Sequence, residues 1–119
     1  MKVYTDISQS KRLKEILPLE SADMAWYTSF AKEGYSIRML NDTYPLDIIG
    51  EEHDEIPAWS LAALLEIISY PTLSQEYGGK WSCMEFPGDE EVEGCETPVD
   101  ACYEIILNLH EQNLLCLWK

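Results

Sequence analysis

The chain begins polar, then sets Leu13, Ile16 and Leu17 at helical spacing, with Lys11, Arg12 and Lys14 on the opposite side. Apolar positions recurring every three to four residues mark one face of a helix, so residues 8–17 are expected to be helical. Ser8 is the expected cap and Pro18 the stop. Ser21 opens a short second turn through residues 22–27, whose pattern falls between helix and strand. Residues 35–40 alternate as a strand does, and Asn41-Asp42 reads as the turn that ends it. Residues 43–58 read as loop, broken by Pro45, Gly50 and Pro57, with a brief edge strand at Asp47-Ile48-Ile49. A second helix is expected over residues 60–69, where Leu61, Leu64, Leu65 and Ile68 share a face and Ala62-Ala63 add propensity. Pro71 closes it.

Two β-prone runs, residues 73–77 and 80–86, flank Gly78-Gly79 and predict a hairpin, because primed turns need positive φ at their central positions. A loop is expected over residues 87–94. The last helix is the best marked. Thr97 is its cap, Pro98 its first residue, and Asp100 meets free amides and the positive end of the helix dipole. Ala101, Cys102, Ile105, Ile106 and Leu109 form its apolar face, and Asn113 is its expected C-cap. Residues 114–118 are apolar throughout and predict a terminal strand. Three helices among a hairpin and several short strands indicate one globular α+β domain over residues 1–119. The expected architecture is a small, mainly antiparallel sheet with the helices on one face.

Charge changes this picture most. Eight Lys and Arg stand against 22 Asp and Glu, a formal net charge of −14. Residues 1–40 are nearly balanced, with six basic and five acidic side chains, whereas residues 41–119 carry Lys80 and Lys119 against 17 carboxylates. Direct nucleic-acid binding needs a basic face that displaces counterions, and this composition does not supply one. An anionic membrane surface would repel the chain for the same reason. Aromatic residues make up 11% of the sequence, unlike a disordered acidic tail, so the chain is expected to fold. The opening residues turn polar at once, as a signal peptide does not, and no apolar run approaches a membrane span. The expected setting is cytoplasmic, with Cys83, Cys95, Cys102 and Cys116 as thiols.

Candidate chemistry is sparse. The cysteine spacings match no zinc ribbon or redox pair. Glu51-Glu52-His53-Asp54-Glu55 mixes imidazole with carboxylates, but it lacks the sharp-turn glycine and alternating ligands of a calcium loop and reads as a solvated loop. Cys95, Cys102 and His110 offer partial zinc ligation, with Cys102 and His110 two turns apart, and a fourth ligand would have to come from Cys83 or Cys116. A cysteine nucleophile would need His53 or His110 within reach and a third orienting group, and no local pattern requires that. Gly78-Gly79-Lys80 lacks the glycine spacing and the following Ser/Thr of a phosphate loop. No catalytic residue, metal or cofactor is assigned.

Three spaced blocks carry a resemblance. They are Gln9-Ser10 with Leu13 and Ala22-Asp23-Met24; Ile56-Pro57-Ala58-Trp59-Ser60-Leu61 with Leu64-Leu65; and Pro98-Val99-Asp100-Ala101 running into Leu107 and Leu109. In these the chain resembles a group of short, uncharacterised proteins of bacterial genomes, prophages and mobile elements. The resemblance implies such a setting and brings no established activity to any residue.

The leading expectation is a non-enzymatic accessory protein that offers an acidic surface to a protein partner, which its charge suggests is basic. The candidate contacts are Glu51, Glu52, Asp54, Glu55, Asp89, Glu90, Glu91 and Glu93, with Trp59 as a possible aromatic anchor. The alternatives are a nucleic-acid mimic that blocks a DNA-binding protein, a small enzyme pairing a histidine with carboxylates, and a subunit of a larger assembly with an apolar patch near Trp59 or Trp118.

Overall fold

A computed structural model describes residues 1–29, 32–41, 55–68, 71–85 and 90–112, and the side chains of 29, 32, 33 and 90 are not among those described. The expected edge strand at 47–49, the end of the turn at Asp42, the cap at Asn113 and the terminal strand at 114–118 lie outside these residues.

Helix α1 (Ile7–Lys14) begins two residues earlier than Ser8 implies. Asp6 accepts from the Gln9 amide at 2.8 Å, and the Gln9 side chain accepts from the Asp6 amide at 3.1 Å. This reciprocal box satisfies two otherwise orphaned donors, which a cap at Ser8 could not match. The helix closes at Lys14, short of Leu17, yet Leu13, Ile16 and Leu17 are buried as their spacing predicts. A single 3-10 turn, Leu19–Ser21, follows Pro18.

Residues expected to be an ambiguous turn instead form β1 (Met24–Ser29). It is the centre of an antiparallel sheet with β2 (Lys32–Met39) and β3 (Ile56–Ala58), in the order β2-β1-β3. Strand β3 arises at the end of the expected loop, where Trp26 pairs with Ile37 on one side and Ile56 on the other. Helix α2 (Leu61–Ile67) starts behind Ser60, whose hydroxyl accepts from the Ala63 amide at 3.2 Å.

The second sheet contains β4 (Pro71–Gln75), β5 (Trp81–Glu85) and β6 (Glu90–Cys95), in that order and antiparallel. The hairpin between β4 and β5 is present, but its loop is longer than two glycines. Glu76 donates to the Lys80 carbonyl at 2.6 Å and Gly79 to the Glu76 carbonyl at 3.1 Å, leaving Tyr77-Gly78-Gly79 as the loop. Gly78 and Gly79 take φ of 98° and 88°, which side-chain-bearing residues rarely adopt.

Helix α3 (Pro98–Glu111) has the start read from sequence: Thr97 accepts from the Asp100 amide at 3.1 Å. It ends with Gln112 as its C-cap, and Ala101, Cys102, Ile105, Ile106 and Leu109 are all fully buried. The fold is α+β. Among the described residues the strands form two three-stranded sheets instead of one, and one hydrophobic cluster runs from Leu13 on α1 through Trp59 and Leu64 to Cys83 and Ile105. Among the described residues, no helix is long and apolar enough to cross a membrane.

Candidate acidic interface

The residues around Asp89–Glu93, expected as a loop, are largely strand. From Glu90 onward they form β6, which pairs with β5 and lies at the edge of its sheet among the described residues. Alternation turns Glu91 and Glu93 to solvent, while Val92 packs against the core cluster. Trp81 pairs with Cys95 and Cys83 with Val92, so β6 carries one more residue than β5 between these pairs. That bulge is accommodated by Gly94 at φ 74° and returns Cys95 to the core side. Carboxylates on an edge strand also oppose its pairing with further chains, which gives part of the acidic run a structural role.

Neighbouring elements extend the same charge. The Glu76 carboxylate accepts from the Gly94 amide at 3.1 Å, tying the β4–β5 turn to the bulge. Lys80 is engaged by Glu96, which offsets its charge. Burial pushes the Cys95 thiol up, and the carboxylates of Glu104, Asp100 and Glu76 push it further. Cys95 therefore sits in an anionic field where β6, the start of α3 and the β4–β5 turn meet.

Not every expected contact belongs to this surface. Glu91 and Glu93 are exposed, and the Glu90 backbone is part of β6. Glu51, Glu52, His53, Asp54 and Asp89 lie outside the described residues. Glu55 must be corrected: its side chain is only 7% exposed and is held by Arg38 at 2.5 Å. In register, Ala25 of the central strand faces Arg38 on one side and Pro57 on the other, so a minimal side chain lies between β2 and β3 where Arg38 reaches toward Glu55. Trp59 must be corrected too, because it is 0% exposed. Its indole donates to the Ser21 hydroxyl at 3.0 Å, its amide donates to the Thr5 hydroxyl at 3.1 Å, and its carbonyl accepts from the Thr5 amide at 2.9 Å. A residue with every polar group engaged inside the core is not a surface anchor. His110 is exposed whereas Cys102 is buried, so α3 turns them to different sides. Among the described residues, no group of three or more His, Cys, Asp or Glu is arranged to hold a metal ion.

Two polar clusters were not legible in the sequence. Asp23 accepts from the Ser60 amide at 2.9 Å and from its hydroxyl at 2.5 Å, docking the start of α2 onto the approach to β1. Lys2 bonds Asp6 at 3.0 Å and Asp100 at 2.8 Å, while the Gln9 side-chain Nε2 donates to Asp100 at 2.9 Å. The starts of α1 and α3 are thus joined by partners 91 and 98 residues apart in sequence, a separation with no local signature.

Burial alone would raise the Asp6 and Asp100 carboxyls. It is outweighed at Asp6 by the Gln9 amide and Lys2, and at Asp100 by Lys2, Gln9 and Thr97, so both fall below the ordinary 3.8. Burial alone would lower Lys2, but hydrogen bonds to Asp100 and Asp6 carry it above 10.5. The carboxylates' contribution is present above the unfolded value and lost as pH falls through the lower folded values. The Lys2 contribution is present below 10.5 and lost as pH rises through its raised folded value. Asp100→Asn is expected to cost about 1 kcal/mol at neutral pH, a figure kept small by solvent screening. In urea titrations the wild-type and variant curves should converge as pH falls through the lowered folded value of Asp100. A constant difference across pH would show that Asp100 acts by packing alone.

No protein-family model matches the chain, and no curated protein or solved structure matches it either.

Proposed function

We propose that the protein is a non-enzymatic accessory protein of the cytoplasm that binds a basic protein partner through the acidic surface centred on β6. The observation that carries this reading is the exposure of Glu91 and Glu93 on an edge strand whose surroundings are anionic, with nearby Lys80 engaged by Glu96. A one-signed field of this kind steers a partner of opposite charge and disfavours nucleic acid and anionic lipid. The three-block resemblance supports a prophage or mobile-element setting.

The test uses a lysine-rich peptide as probe at low and moderate salt. Glu91→Lys with Glu93→Lys is expected to weaken binding about tenfold, and added salt should weaken wild-type binding comparably. An equal charge reversal at Glu15 and Glu20, beside α1, should have a much smaller effect. Binding unchanged by salt, or equally weakened by either pair of reversals, would remove β6 as the contact surface.

A further inference from the structure

The longest strand among the described residues, β2, lies at the edge of its sheet, paired with β1 on one side only among those residues. Along a strand, side chains alternate between faces while backbone N–H and C=O groups alternate between edges. Leu40, just after β2, donates its amide to the Asp23 carbonyl at 3.0 Å, so its backbone points inward to β1. Pairing with β1 runs without a break from Met39 to Tyr35. By alternation Arg38 and Ser36 also point inward, whereas Met39, Ile37 and Tyr35 turn their backbone groups to the open edge. The same three residues share one face of the sheet, and that face is apolar. Met39 is 61% exposed and Tyr35 40%, with Ile37 half-buried between them.

The other sheet edges are guarded. Strand β3 is short, contains Pro57 and is buried throughout. Strand β4 begins with Pro71, and β6 presents Glu91 and Glu93 to solvent. Prolines, charges and shortness are the usual means of stopping an edge from pairing. Between residues 35 and 39, β2 has none of them on its apolar face: its one charge there, Arg38, lies on the opposite face and is bound to Glu55.

We propose that two copies of the chain pair their β2 strands antiparallel about a two-fold axis at Ile37, joining two three-stranded sheets into one.

An axis at this residue sets Ile37 opposite Ile37 of the second copy, and Tyr35 opposite Met39 of the second copy. Outward backbone groups then meet outward backbone groups, giving roughly six N–H···O=C bonds across the new pair. The apolar row also meets itself, and each aromatic ring lies beside a thioether, a favourable contact. Charge selects the occupant. The strand belongs to residues 1–40, where six basic and five acidic side chains nearly cancel, so two copies of a chain of net charge −14 meet least repulsion there. A basic partner of the kind drawn to β6 finds no carboxylate between residues 35 and 39. A contact of this extent is at the small end of specific interfaces, below about 1,200 Å² in total, which fits a reversible dimer.

Sedimentation equilibrium of the full-length chain, from about 1 to 200 µM at low and high salt, tests this. A monomer–dimer equilibrium is expected, with a Kd on the order of 10 µM. Salt should tighten the dimer severalfold by screening repulsion between the copies, the reverse of its effect on binding at β6. Met39→Lys should weaken the dimer at least about tenfold while leaving the circular dichroism of the monomer unchanged, and Tyr35→Lys should do the same. Glu91→Lys with Glu93→Lys should not weaken it. In hydrogen exchange followed by NMR, the wild-type amides of Tyr35, Ile37 and Met39 should gain protection between dilute and concentrated samples. A monomer at every concentration and salt would overturn the proposal. So would a dimer that salt weakens, one that neither lysine variant affects, or protection gained elsewhere and not at these three amides. The wild-type salt series and exchange decide the matter even if a variant fails to fold.

Discussion

Trp59→Ala is expected to lower the free energy of unfolding by about 4 kcal/mol, the largest effect of any single truncation foreseen for this chain. The indole is fully buried in the cluster that joins α1, α2 and α3, so deletion opens a cavity that neighbouring side chains refill only in part. It also removes the donor to Ser21, leaving the end of the 3-10 turn without that tie to the core. A domain of this size is ordinarily stable by about 6–15 kcal/mol, so the loss takes a large part of the total. Trp59→Phe separates the two contributions. It retains most of the ring and loses the N–H bond, and about 1–2 kcal/mol is expected. Urea denaturation followed by far-ultraviolet circular dichroism measures both variants. A loss below about 1 kcal/mol for Trp59→Ala would mean the residue does not fill the core as described.

The second large effect concerns the ion pair between Arg38 on β2 and Glu55, the residue just before β3. Arg38→Met is expected to cost about 3 kcal/mol, because it leaves the Glu55 carboxylate in a buried site without its guanidinium. The two partners are not equally buried: the Arg38 side chain is 24% exposed and that of Glu55 7%. Removing the negative partner should therefore cost less, about 1–2 kcal/mol for Glu55→Gln, since the guanidinium retains access to water. Bidentate contact, with Nε and Nη2 of Arg38 each 2.5 Å from a Glu55 oxygen, adds directional hydrogen bonding to the charge. The double variant Arg38→Met/Glu55→Leu should recover most of the loss, as apolar replacements of buried pairs often do. Equal destabilisation by the two single variants, or no recovery in the double, would show that the asymmetry of burial does not govern the pair.

These two residues show where the sequence was hardest to read. Trp59 sits between Ile56-Pro57-Ala58 and the start of a helix, a placement that fits an exposed anchor but fits a core position better. Its burial follows from residues 3–5 running beside it, where Tyr4 bridges to Ser60 and Thr5 exchanges hydrogen bonds with Trp59. Glu55 ends a run of five polar residues that looked uniformly solvated. It is withdrawn from water because β2 brings Arg38 beside it, and no count of local charge foretells a partner 17 residues upstream. The acidic surface was more legible. Glu91 and Glu93 are exposed as expected, although on a strand and not a loop.

The sequence by itself determined the local devices. Thr97, Pro98 and Asp100 specify the start of α3, and the spacing of its apolar residues specifies which face is buried. Ser60 does the same for α2, and paired glycines place the hairpin. Helix caps and turns satisfy their hydrogen bonds within a few residues, so their causes lie side by side in the chain. Only the tertiary structure decided that residues 24–29 are the central strand of a sheet, that β6 is a strand at all, and that Lys2 joins the starts of α1 and α3. Each of these depends on partners distant in sequence, and a strand or buried polar group is stable only once those partners supply its hydrogen bonds.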